Sequence, residues 1–423
     1  MKRKLNKLDL NLYSETIDNG LNVYVIPKKT RNIYATFTTK YGSMINEFIP
    51  THKKDYQKYP DGIAHFLEHK VFEQKDGEDP FAFYEKRGAS SNASTTTDRT
   101  TYLFSGTEKF KENLNYLLDF VQSPYFTEEN VEKEKGIIKE ELDMYEDDPY
   151  TVLYDKSLFN TFKKHPIRIS VGGTKQSIKK ITKDMLYECY NTFYHPSNMF
   201  LIVTGNVNPK EVFEIVKENQ SQKDFKKMDK IKIKNPMEPD EVYKEKEHIS
   251  FDVVKPKVSF NIKINIENLD YSLFEIRNYL FYYFDLKLGV TSEFSEKLKQ
   301  DGIIHYDIGI NMVQTDRHIA ILLLAETDKP NEFIDRVKKE IQNKEILEKD
   351  FERKKKALIS SYIMVGDSIY SLNSKVMNNI IRYNEVYTDD FSMIKKLNTK
   401  DANNLLKQVD FKNTSSIIMK KEK

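Results

Sequence analysis

The stretch DGIAHFLEHKVFE, residues 61–73, sets two histidines and a glutamate within five positions of a chain that has only 8 histidines in 423 residues. Its apolar residues fall at helical spacing. His65 and His69, four apart, therefore share one helical face, one turn apart. That spacing lets two imidazoles reach one ion at Zn–N distances of about 2.0–2.1 Å. Glu68 lies on the same side, beside the ion rather than necessarily on it, where it can take a proton from water as a general base. A lone histidine on a helix is usually structural. Two histidines and a glutamate on one face of a histidine-poor chain point to metal.

A catalytic zinc site takes three protein ligands and keeps a further position open. The third ligand should be a His, Asp or Glu from a second element. The candidate stretch is EKEKGIIKEELDMYEDDP (132–149), which carries Glu134 and Glu141 seven residues apart, on one face over two turns. Ile137 and Ile138 lie between them and are expected to bury that face. A carboxylate-rich helix is ordinarily a solvated surface; the HxxEH stretch shifts the reading toward ligation.

The composition sets bounds. A chain of 423 residues calls for two domains or more. With 39% apolar and 31% charged residues it reads as a globular protein. A net charge of +2 gives no support to nucleic-acid binding. One cysteine, Cys189, excludes an intramolecular disulfide and is read as a buried inert thiol. The basic start MKRKLNKLDLNLYSE is followed by no apolar signal core, and no run of about 18 apolar residues occurs. The expectation is a cytoplasmic protein with no integral membrane segment.

Strand and helix signals alternate along the first half. NGLNVYVIP (19–27) and IYATFTTKYGS (33–43) read as strands, FAFYEKRG (81–88) as a helix closing on Gly88, and GASSNASTTTDRTTYLFSG (88–106) as a strand or strand pair. Helices are expected at about 108–122, 128–147 and 150–163, and a buried strand at 199–207. The lysine-rich segment 208–245 reads as a solvated linker. VSFNIKINI (258–266) then restarts a strand pattern. Two pairs of segments repeat at nearly one offset. ITKDMLYECYNTFYHPSNMFLIVTGN and NTKDANNLLKQVDFKNTSSIIMKK align Thr182 with Thr399, and VEKEKGIIKEEL (131–142) aligns with FERKKKALISSY (351–362). The chain is therefore expected to hold tandem homologous halves, 1–225 and 226–423. At the second offset Glu134 and Glu141 correspond to Lys354 and Ser361, so the second half lacks the metal ligands.

His65-Phe66-Leu67-Glu68-His69 followed about seventy residues later by a glutamate helix resembles the signature of the pitrilysin/insulinase metallopeptidases, the inverse zincins. GASSNASTTTDRTTY and YHPSNMFLIVTGNV resemble further segments of that family, and the resemblance runs over nearly the whole chain. It implies an α+β fold of two homologous domains, each a mostly antiparallel sheet packed with helices, arranged as a half-clamshell. It implies one Zn²⁺ per chain, held by His65, His69 and Glu141, with Glu140 as the register alternative. Glu68 is then the general base on the metal's water, and Glu134 a supporting residue that orients the site. Asn92 and Ala93 fall where the family's edge strand meets the substrate. The family's substrate-gripping Arg and Tyr fall on Lys299 and Tyr306 of FSEKLKQDGIIHYDIGI (294–310); lysine cannot form the bidentate fork of arginine. The implied activity is a zinc-dependent endopeptidase acting on unfolded peptides in a chamber closed by dimerisation. The partner is either a paralogous half-length subunit carrying the Arg/Tyr pair or a second copy. The alternative is a catalytically lapsed peptide-binding or scaffold subunit.

Overall fold

A computed structural model of the protein describes residues 1–421. Two compact units are present, each discontinuous in sequence. The first combines Met1–Leu142, Ser170–Asn235 and Ser360–Phe391; the second combines Asp143–Ile169, Pro236–Ile359 and the chain from Ser392 onward.

In chain order the first half forms β1 (Lys2–Leu5), β2 (Leu10–Thr16), β3 (Asn22–Pro27), β4 (Ile33–Thr39) and the short hairpin β5 (Glu47–Phe48) and β6 (Gln57–Lys58). Helices α1 (Ile63–Val71) and α2 (Pro80–Glu85), the hairpin β7 (Ala89–Thr95) and β8 (Thr100–Gly106), and helices α3 (Phe110–Val121), α4 (Glu128–Asp147) and α5 (Pro149–Thr161) follow. Then come α6 (Lys175–Ile178), α7 (Lys183–Phe193), β9 (Met199–Gly205) and α8 (Pro209–Ser221). The second half forms β10 (Lys246–Ser250), β11 (Lys257–Asn265), α9 (Leu273–Leu288), α10 (Glu293–Gln300), β12 (Gly309–Gln314), β13 (His318–Glu326), α11 (Pro330–Glu340), α12 (Glu348–Val365), α13 (Ile369–Tyr383), α14 (Asp390–Lys396), α15 (Thr399–Gln408) and β14 (Thr414–Lys420).

The seven-stranded sheet of the first unit runs β1-β2-β3-β9-β4-β8-β7, with only the β3–β9 pair parallel. Alternation sorts its side chains. Val23, Val25, Ala35, Phe37, Tyr102, Phe104, Leu201 and Val203 face one core with residues of α1, α3, α7 and α8. Ile26, Phe200 and Ile202 face the other way and meet Leu372, Val376, Met377 and Ile380 of α13. Both faces are covered, which is why β9, MFLIVTG, opens with an unbroken apolar run from Met199 to Val203.

The five-stranded sheet of the second unit runs β10-β14-β11-β13-β12, with β10–β14 parallel. One face packs on α5 through Leu153 and Leu158 and on Phe162 just after it; α9 and α11 also pack on the sheet. Strand for strand this is the order β3-β9-β4-β8-β7 of the first unit, so the repeat seen in sequence is a repeat of topology. Its signal differs in one detail. Thr182 caps α7 and accepts the Met185 amide, whereas in the second copy Asn398, one residue before Thr399, is the cap.

Two readings of the sequence need correction. The segment 208–245 is not all linker: Asn208 caps α8, and Val212, Ile215 and Val216 put an apolar stripe into the core. Glu238, within the same segment, is buried against Lys263 at 2.6 Å and accepts the amides of Lys163, Lys164 and His165. Nor do both isoleucines of α4 bury its face. Ile138 is buried with Val131 and Leu142, while Ile137 is 47% exposed. At about 100° per residue, Ile138 lies on the core side of Glu134 and Ile137 on its solvent side.

Candidate metal centre

Helix α1 starts on Gly62, whose φ of 86° is left-handed. A Cβ there would lie 2.4 Å from the Gly172 carbonyl oxygen. This close approach fixes where the helix begins. Ile63, Ala64, Phe66, Leu67 and Val71 are buried in the core, and His65 and His69 emerge on the remaining face with their ring centroids 4.7 Å apart. Helix α4 anchors through Val131, Ile138 and Leu142 and presents Glu134 and Glu141 to the histidines.

Among the described residues one group has metal-ligand geometry: His65, His69 and Glu141. Glu141 Oε2 lies 3.7 Å from His65 Nε2 and 3.5 Å from His69 Nε2. These separations are too long for hydrogen bonds. They match the edge of a tetrahedron with metal–ligand bonds near 2.0–2.1 Å, about 3.4 Å. Two imidazoles and one carboxylate are a zinc donor set with a position left open. Burial pushes the His65 imidazole down to about 4, with the neighbouring His69 adding to the effect, so His65 presents a neutral lone pair. The residues present fit a zinc ion. Glu140, in contrast, is exposed.

Glu134 Oε1 sits 3.0 Å from His69 Nδ1. With Nδ1–H donating to that carboxylate, Nε2 is left free to ligate. Burial opposes the charged form of His69, but the Glu134 contact and the surrounding carboxylates outweigh it and raise its pKa. Glu68 is buried beside the histidines, and burial raises its carboxyl above the usual range. Its Oε2 accepts a hydrogen bond of 2.6 Å from the Thr95 hydroxyl, which also lies 3.2 Å from Thr100 Oγ1.

Thr95 was not singled out from sequence, where it is one of three consecutive threonines. The available signal was alternation: Thr95 shares a strand face with Ala93, which packs on the core. Asn92 points the other way. It is exposed, and its Oδ1 accepts the amide of Ala93 at 2.8 Å on β7, an edge strand. Lys299 and Tyr306 belong to the second unit. The Lys299 ammonium is held by Asp307 at 2.7 Å and Glu296 at 3.1 Å, and Tyr306 is 69% exposed. Cys189 is buried, and burial pushes its thiol up, as an inert core thiol requires. No helix among the described residues is long and apolar enough to cross a membrane.

Comparison with known proteins gives these features a family. The insulinase (peptidase family M16) model matches residues 54–175, and the peptidase M16 inactive domain model matches residues 180–358. The zinc protease YmfH of Bacillus subtilis, uncharacterized, is 50% identical over 258 residues, 61% of this chain and 60% of that protein. A second uncharacterized B. subtilis zinc protease, YmxG, is 28% identical over 37% of this chain and 39% of its own length. The matched stretches thus span less than two thirds of these curated relatives. The crystal structure of an M16-like peptidase from Alicyclobacillus acidocaldarius superposes with a TM-score of 0.92 at 31% identity, covering 98% of this chain and 99% of that one. With the HxxEH helix inside the first matched region and strands β10, β11, β12 and β13 of the repeated sheet inside the second, the chain belongs to the insulinase family, peptidase family M16.

Proposed function

We propose that the protein is a zinc-dependent endopeptidase acting on unfolded peptides. The observation that carries this reading is the convergence of His65 Nε2, His69 Nε2 and Glu141 Oε2 with Glu68 buried beside them. A scaffold has no use for a buried carboxylate next to three ligands; a hydrolase does. Zinc held by His65, His69 and Glu141 would supply Lewis acidity toward the scissile carbonyl. Glu68 takes the proton of the attacking water and later returns it to the leaving amine. Thr95 holds one oxygen of Glu68, leaving the other for that transfer. Glu134 orients His69. The unpaired edge of β7 is the proposed rail on which an extended peptide adds as a strand, with Asn92 and Ala93 along it.

The grip on the substrate is proposed to be shared. Lys299 stands where the resemblance calls for arginine, and two carboxylates already engage it. The proposed working form is a dimer, with a paralogous half-length subunit supplying an Arg/Tyr pair or with a second copy, closing a chamber around the peptide.

The test is metal analysis of the purified chain together with hydrolysis of a quenched fluorescent peptide, with and without chelator and with Glu68→Gln. Zinc near one per chain is expected, with hydrolysis abolished by chelator. The Glu68→Gln variant should keep its zinc and lose about 10²–10⁴-fold in rate. Undiminished hydrolysis in that variant would sink the mechanism.

A further inference from the structure

We infer that Lys70 is a positioning residue of the metal centre: it pins Glu134, and through Glu134 the ring of His69. The inference rests on the reading of His65, His69 and Glu141 as metal ligands. Lys70 directly follows His69 in α1. A lysine on a short helix normally reaches solvent, yet this side chain is 1% exposed. A buried ammonium must spend its donors on fixed acceptors. Here they are the Glu73 carboxylate, one turn further along, and the main-chain oxygen of Asn130 at 3.1 Å. Glu134 Oε2 follows at 3.7 Å. The last two belong to successive turns of α4, so Lys70 ties the histidine helix to the carboxylate helix.

The two oxygens of Glu134 are divided between neighbours: Oε1 faces His69 Nδ1 at 3.0 Å and Oε2 faces Lys70. A carboxylate held at one oxygen can turn about its terminal torsion, which is soft. With Oε2 in ion-pair range of the buried Lys70 ammonium, that turn is opposed, so Glu134 keeps its acceptor on Nδ1 and thereby steadies the direction of Nε2, which points at Glu141 Oε2 3.5 Å away. Removing such outer partners typically weakens metal binding by about 10–100-fold. If Lys70 works through Glu134, the two side chains form one device, and their losses do not combine. If it only staples the helices, its removal lowers stability and leaves affinity alone.

The experiment is chelator-competition measurement of the zinc dissociation constant on the full metal-stripped chain, for the unaltered protein, Lys70→Met, Lys70→Gln, Lys70→Arg, Glu134→Gln and the Lys70→Met/Glu134→Gln double variant. Thermal melts of the metal-free forms report folding independently. We expect Lys70→Met and Lys70→Gln to weaken zinc binding about tenfold, at the low end of that range. Lys70→Arg should recover most of the loss, and the double variant should bind no more weakly than Glu134→Gln. Unaltered affinity in both folded Lys70 variants would overturn the inference. So would losses that multiply in the double variant. Should Lys70→Met fail to fold, Lys70→Gln and Lys70→Arg carry the same comparison. An unaltered protein that binds no zinc would instead remove the metal reading itself.

Discussion

The two units share one strand order and differ in what their helices carry. In the first, α1 and α4 bring together His65, His69, Glu134 and Glu141. In the second, α9 and α12 hold the corresponding places in chain order, and they are joined by an ion pair between Asp285 and Lys354. Lys354 is the counterpart of Glu134 in the repeat. The same scaffold therefore tolerates either a set of metal-ligand donors or a cation supplied by the chain itself. Chemistry resides in the few side chains between the helices, not in the topology.

The comparison can be broken most severely at the ligand. Glu141→Gln should take zinc content well below one per chain and hydrolysis with it, while the exposed Glu140→Gln leaves both intact. The reverse result would mean that the register of α4 is wrong by one. The next effect belongs to the second unit. Glu238 is a buried carboxylate whose loss leaves Lys263 uncompensated. Glu238→Gln should cost about 3–5 kcal/mol in urea unfolding without altering zinc affinity. Burial opposes the Glu238 charge, but the three amides and Lys263 outweigh it and hold its carboxyl below the usual range. A depressed pKa in the folded state adds stability that is full above the unfolded value of about 4.3 and is lost as pH falls through the folded value. Acid titration of stability should show that loss in the unaltered protein and a smaller one in Glu238→Gln.

Smaller again is the support of the base. Thr95→Val should lower kcat about tenfold, as expected for one hydrogen bond to a charged group, and Thr95→Ser should restore it. Zinc content should not change; a fall in zinc would reassign Thr95 to the metal rather than to Glu68. The smallest effect is predicted for Lys354→Met. The Asp285–Lys354 pair is only partly buried, so its removal should cost about 1 kcal/mol or less and leave hydrolysis untouched. Loss of activity there would mean that the two units are coupled through these helices.

Much of the centre was legible because periodicity is local. Spacings of four and seven residues place His65 with His69 and Glu134 with Glu141 in any helix, and the repeat showed which half lacks them. What escaped depends on contacts between elements. Thr95 meets Glu68 only once β7 lies against α1, and the burial of Lys70 requires α4 to cross its end. Ile137 and Ile138 look alike in sequence; only the direction of the core separates them. The helix at 209–221 was hidden by the lysines around it, although its stripe Val212, Ile215, Val216 has helical spacing.

The exchange of segments between the units has a consequence for the order of events at the ribosome. The strands of the first sheet are complete once Gly205 has been made, yet Ile26, Phe200 and Ile202 on its outer face await α13, at Ile369–Tyr383. At roughly 5–20 residues per second, that face waits on the order of ten to thirty seconds in the growing chain. During that interval it is an apolar sheet surface open to other chains. The first unit, although most of it lies within the first 235 residues, can finish folding only after Tyr383 has been made.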